Sequence, residues 1–163
     1  MLLHSAWVMI LYCYQILWRK VFVLITRETD YAIRAMMYLA IQEDITLPVS
    51  SAELAEEMEI PYRFLRKIVL KLISAKLVES RRGKGGGLNL ALSPDKISLF
   101  EIMHAVDPVG VTMNICLPDD SKCARIKFCG LHSALVDVQE MFDDKLKSIM
   151  LSTMSAPDLK LRA

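Results

Sequence analysis

The chain is 163 residues long, enough for one ordinary domain and an appendage, and its 53% apolar content supports a packed core and excludes a wholly disordered chain. Twenty lysines and arginines against nineteen aspartates and glutamates leave a formal charge of +1, which excludes a uniformly basic nucleic-acid coat but not a local basic face. Four cysteines are too few for a disulfide scaffold at this length, yet Cys116, Cys123 and Cys129 fall in one short stretch.

Residues 1–23 form an apolar extension whose run from Ala6 to Trp18 is broken only by Gln15 and followed by Arg19 and Lys20. A secretory signal wants basic residues before the apolar run and a small-residue cleavage site after it, and neither is present. A membrane span needs about 20 apolar residues, slightly more than this segment supplies. A start site assigned too far upstream is the favoured reading; a membrane or interfacial anchor and an extra packing helix stay open, and Cys13 is given no function.

A winged helix-turn-helix is expected over 24–108. Thr29 is expected to cap a first helix, with Asp30 in its first turn and apolar residues at 33, 36, 37, 40 and 41 facing inward. Ser50 and Glu53 have capping-box spacing ahead of a short helix with Leu54, Ala55 and Met58 inward. Glu59-Ile60 makes a turn, and Pro61 suits the first position of the next helix, 61–74. That helix carries Phe64, Leu65, Ile68, Leu72 and Ile73 on one side and Tyr62, Arg63, Arg66, Lys67 and Lys71 on the other. Two short strand patterns follow, 77–81 and 88–92, around the basic glycine-rich turn Arg82-Gly83-Lys84-Gly85-Gly86-Gly87. From 61 to 86 there are eight basic residues against Glu79 alone, so a near-neutral chain has gathered its positive charge on one helix and one hairpin. That asymmetry suits phosphate neutralisation, and Pro61, Tyr62, Arg63, Arg66, Lys67, Arg81, Arg82, Lys84, Gly85 and Gly86 are the candidate DNA-binding residues. A nucleotide-binding loop is disfavoured, because no helix opening with Lys-Ser/Thr follows the glycines.

Ser98 to Val106 reads as a short helix stopped by Asp107-Pro108, and 109–130 is the cysteine loop, with the spacing Cys-x6-Cys-x5-Cys-x2-His. Structural zinc sites use closer pairs, whereas wide and uneven spacing leaves room for an iron–sulfur cluster held by thiolates. Zinc and a metal-free thiol switch are the alternatives. His132 and Asp30 compete as fourth ligand, each with a plain structural role beside it, and Lys122, Arg125 and Lys127 would offset an anionic cluster. Leu131, Leu135, Val138, Phe142, Leu146 and Ile149 form one apolar stripe along 131–154, read as a dimerisation helix, with 155–163 as a tail.

With Thr29-Asp30-Tyr31-Ala32-Ile33-Arg34, the Ile60-Pro61 turn, the wing Arg82 to Leu88, the Ile97 to Ile102 helix entry and the three-cysteine loop, the chain resembles the IscR/NsrR/RirA-type family of bacterial winged-helix transcriptional regulators. The resemblance spans about residues 24–154. It implies a cytoplasmic homodimer on a double-stranded DNA operator, with recognition helices in major grooves and wings at minor grooves. It also implies a 2Fe–2S or 4Fe–4S cluster on Cys116, Cys123 and Cys129, with His132 or the partner subunit's Asp30 as fourth ligand. The first cysteine gap is six residues where many members have five, and Leu88 stands where an aromatic residue is usual. A repressor sensing redox, nitric oxide or iron status is expected. No enzymatic activity, small-molecule substrate or membrane association is expected, since no nucleophile–base motif or cofactor loop is present.

Overall fold

A computed structural model describes residues 25–42, 44, 47–83, 85–114, 116–117 and 123–155; the N-terminal extension, Lys84, Lys122 and the tail beyond 155 lie outside them. Among the described residues the elements are α1 (Arg27–Ala40), α2 (Ser51–Glu57), α3 (Tyr62–Ser74), β1 (Val78–Arg81), β2 (Gly87–Leu90), α4 (Leu99–Val106), α5 (Gly130–Ser148) and α6 (Leu151–Met154). This is the expected mainly α winged helix-turn-helix with a two-stranded wing.

The first helix begins earlier than expected. Thr26, not Thr29, is its cap, accepting a hydrogen bond from the Thr29 backbone N–H at 3.2 Å. Thr29 is buried in the first turn, its hydroxyl 2.9 Å from that of Thr26. The inward face is Ala32, Ala35, Met36 and Leu39, while Ile41 is exposed. Two alanines bring this helix close to its neighbours, so the contact line follows small residues that an apolar count underweights.

Ser50 caps α2 as expected, accepting from the Glu53 N–H at 3.1 Å. The Glu53 carboxylate instead accepts from the Tyr38 hydroxyl at 3.3 Å, tying α2 to α1; burial first, and then the Glu53 charge, push that hydroxyl above the usual tyrosine range. Glu59 takes the left-handed conformation, φ +52°, that makes the α2–α3 turn tight. Pro61 is the N-cap of α3 rather than its first residue. Leu65, Ile68, Val69 and Leu72 form the buried face, whereas Phe64, expected inward, is 54% exposed with its ring edge-on to Tyr31.

The hairpin pairs Val78 with Leu90 and Arg81 with Gly87, antiparallel. A single residue from the α1–α2 connection extends it: Val49 exchanges both backbone hydrogen bonds with Leu88, at 2.9 and 2.8 Å. Ser98 and Glu101 form a complete capping box at the start of α4.

The helix expected over 131–154 is broken in two. At Ile149 and Met150 the backbone turns extended and pairs with the chain before α4: Leu99 N–H donates to Ile149 and Leu151 N–H to Ile97, both at 2.8 Å. This redirects α6 into the main core, where Leu151 is fully buried among residues of α1, α3 and α4. A smaller core of Met103, Val111 and Leu146, with Phe100 and Phe142 packed against it, holds the C-terminal half of α5 to α4.

Ser98 thus caps α4 where the chain's end pairs with it. Ser98→Ala is expected to cost about 1–2 kcal/mol, the usual value of a cap whose partners become unsatisfied. A thermal melt with an unchanged midpoint would show that the capping box contributes nothing.

Candidate nucleic-acid interface and cysteine loop

The outer side of α3 opens with Pro61 and Tyr62 and continues with Arg63, Arg66 and Lys67, all exposed. The chain passes from α3 into β1 through a turn in which Lys76 holds φ +59°, and β1 packs on α3. Arg81 and Arg82 are exposed at the wing. None of these five basic side chains has an acidic partner among the described residues, so their charge is available to an external anion. Lys71, expected on the same outer face, is not among them. Its ammonium donates to the Val106 carbonyl at 2.7 Å and pairs with Glu28 at 2.7 Å.

The wing's tip needs glycine for two different reasons. Gly83 and Gly85 hold φ +98° and +78°, the left-handed region that side chains disfavour. Gly86 and Gly87 are required by space: a Cβ on the first would overlap the Arg81 carbonyl, and on the second the Val49 carbonyl. The Gly86 N–H closes the turn on the Gly83 carbonyl at 3.0 Å.

Cys116, Cys123 and Cys129 are unpaired and half-buried. Cys123 and Cys129 bracket a single 3-10 turn, Ile126–Phe128, and Cys129 is the N-cap of α5, its carbonyl accepting from His132 N–H at 3.1 Å. The His132 ring nitrogen Nδ1 is buried without a hydrogen-bond partner among the described residues. Leaving such a group unsatisfied costs about 1–3 kcal/mol, so it marks a place where a ligand or metal would be welcome. Asp30 is ion-paired with Arg34 at 2.6 Å, and the Arg34 guanidinium lies 5.7 Å from the centre of the Tyr31 ring, which in turn meets Phe64 of α3. Among the described residues no three His, Cys, Asp or Glu side chains converge into a metal site within one chain. Three free thiols are donors of the type that hold an iron–sulfur cluster, but one chain does not bring them, or Asp30, together.

Sequence reasoning missed Gln139. Its side-chain amide accepts from the Met113 N–H at 2.8 Å and donates to the Val111 carbonyl at 2.9 Å and to Asp143 at 2.7 Å. Both functions of one amide are spent on the backbone just ahead of Cys116, so Gln139 clasps the base of the cysteine loop to α5. A lone glutamine on a helix face carries no sequence signal for this.

The sequence model of the Rrf2 family, described as iron-dependent transcriptional regulator, matches residues 25–157. The chain is 31% identical over 132 residues to the transcriptional repressor NsrR of Streptomyces coelicolor, covering 81% of this chain and 88% of that one. It is 27% identical over 111 residues to NsrR of Bacillus subtilis, covering 68% and 75%. Among solved structures, IscR of T. potens superposes with a TM-score of 0.64 at 26% identity, over 85% of this chain and 92% of the other. CymR, the global cysteine regulator of B. subtilis, gives 0.63 at 23% identity over 81% and 95%, a likeness of fold. No helix among the described residues is long and apolar enough to cross a membrane.

A glycine that space requires can be told by substitution from one that it does not. Gly87→Ala forces a side chain onto backbone and is expected to destabilise by about 1–3 kcal/mol, with amide-exchange protection lost at Val49 and Leu88. Gly130→Ala, in open space at the start of α5, is expected to be neutral or slightly stabilising. Equal effects of the two would refute the close wing–Val49 approach.

Proposed function

The chain belongs to the Rrf2 family of transcriptional regulators, and from that premise we propose that it is a homodimeric repressor whose operator affinity is set by an iron–sulfur cluster on the cysteine loop, answering to redox, nitric-oxide or iron status. It is a DNA-binding regulator and not an enzyme. The observation that carries the sensing part is the donor set itself: three unpaired, half-buried thiols with the orphaned His132 Nδ1 one turn into α5.

In this reading α3 enters the major groove, with Tyr62, Arg63 and Arg66 at its leading end, and Arg81, Arg82, Lys84 and the Gly85-Gly86 backbone meet the adjacent backbone and minor groove. Dimerisation supplies the second head, so that two recognition helices meet half-sites about 34–36 Å apart. Leu131, Val138 and Met141 are exposed on α5, and Phe128, just before it, is 92% exposed. Burying a side chain of this kind contributes about 1.5–3 kcal/mol, so α5 is the natural dimer surface. A bound cluster supplies a centre that exchanges electrons and reacts with nitric oxide. The chain's part is to hold it through Cys116, Cys123, Cys129 and either His132 or the partner subunit's Asp30. A second reading, a metal-free thiol switch, is favoured by one observation: among the described residues of a single chain the thiols do not converge into a metal site; zinc on the same cysteines is the remaining alternative.

The visible spectrum of protein purified without oxygen, before and after brief air exposure, separates these. Broad charge-transfer bands that bleach, with a parallel change in operator affinity, are the expected result. A colourless protein from iron-replete cells would overturn the cluster; bound zinc or air-dependent loss of alkylatable thiol would then identify the alternative. For the wing, Arg82→Ala with Lys84→Ala is expected to weaken operator binding and flatten its log–log salt dependence by about two. An unaltered titration would remove the wing from the interface.

A further inference from the structure

Of the basic residues on α3, Arg63, Arg66 and Lys67 have no acidic partner among the described residues, and Lys71 alone bonds back to other elements of the fold. The Val106 carbonyl it meets belongs to the last residue of α4, where unsatisfied carbonyls and the helix dipole favour a cation. Its other partner, Glu28, lies in the first turn of α1. Lys71 and Glu28 are 43% and 36% exposed, so the pair adds little to global stability. What it fixes is the placement of the recognition helix against the end of α4.

That end is also where the cysteine loop begins. After Val106 the chain makes one turn, held by the Gly110 N–H on the Asp107 carboxylate at 2.9 Å, and buries Val111 in the smaller core. It is then clasped at Val111 and Met113 by Gln139, just ahead of Cys116. The stretch between Val106 and Cys116 is thus tied to α5 at one end and, through Lys71, to α3 at the other. Beside it lies an open cleft of about 350 Å³, bounded by Phe100, His104, Val109, Leu117, Gln139 and Asp143.

We infer that Lys71 is a positioning residue which transmits the state of the cysteine loop to the recognition helix, by holding α3 to the Val106 carbonyl. The inference rests on the sensing function proposed above. A change at the thiols that shifts residues 107–113 must move the Val106 carbonyl, and the Lys71 bond carries that movement into α3 or is broken by it. Either way the bond differs between states, which is what a coupling free energy requires.

The test uses the full-length chain as purified without oxygen, and the same protein after air exposure, titrated against operator DNA at several salt concentrations. Lys71→Met keeps the aliphatic stem and removes the charge and both bonds. It is expected to melt cooperatively and keep the wild-type salt slope, since Lys71 touches no phosphate. It should also reduce the affinity ratio between the two states at least about threefold, part of the roughly 5–150-fold range of such couplings. Glu28→Gln retains the Val106 bond and is expected to keep most of the ratio, while Arg66→Ala lowers the salt slope by about one and leaves the ratio intact. A Lys71→Met protein with the full wild-type ratio, or with a reduced salt slope like that of Arg66→Ala, overturns the inference while leaving the sensing function standing. A wild-type protein with equal affinity in both states overturns the sensing function, and the inference with it.

Discussion

The pairing of the chain's two late segments, Ile97 to Leu99 with Ile149 to Leu151, is the constraint on which the rest of the architecture depends. Two backbone hydrogen bonds of 2.8 Å are enough to stop α5 at Ser148 and send α6 back into the core. Leu151 then fills a site among α1, α3 and α4 that would otherwise be a cavity, and emptying a site of this kind costs about 2–5 kcal/mol. The consequence for function is geometric. The last turns of α5, around Leu146, are clamped to the DNA-reading unit, and the half that carries Cys129 and His132 extends away from it with its apolar residues uncovered.

The distribution of positive charge follows the same division of labour. A chain with almost no net charge places cations without acidic partners among the described residues on the outer side of α3 and on the wing, and ties Lys71 to Glu28 and the end of α4. The wing is held by contacts that leave no room for a side chain: Gly87 against the Val49 carbonyl, Gly86 against Arg81. Its tip is thereby presented as bare backbone and charge, which is the form in which a nucleic-acid backbone is met most closely.

Much of this was legible in the sequence, and the parts that were not share a cause. Capping serines, the Pro61 turn and the glycine-rich hairpin are local patterns, and they located the helix-turn-helix and the wing. The cysteine spacing marked 109–130 as a candidate site, a local pattern of the same kind. What failed were inferences that depend on a distant partner. The apolar period along 131–154 runs through Ile149 without interruption, and only the pairing with Ile97 to Leu99 breaks the helix there. Lys71 reads as one more outward cation until the end of α4 is placed beside it. Phe64 reads as core, yet its ring rests on the outer rim against Tyr31. On α1 the buried face runs through Ala32 and Ala35 as well as Met36 and Leu39, and small residues weigh little in a count of large apolar side chains.

The described residues of the cysteine loop bond mostly to near neighbours in sequence. Among its described residues the backbone bonds close single turns: Leu117 to Asn114, Ile126 to Cys123, Phe128 to Arg125. Phe128 is almost fully exposed. Occupying or cross-linking the thiols would contribute directly to the order of the residues that carry them. The loop's two ends are fixed. Gln139 clasps the backbone at Val111 and Met113, and Cys129 is built into the first turn of α5. Under the proposed sensing role, a chemical change at sulfur would be felt at these two anchors. One of those anchors leads within a few residues to the carbonyl that Lys71 grips.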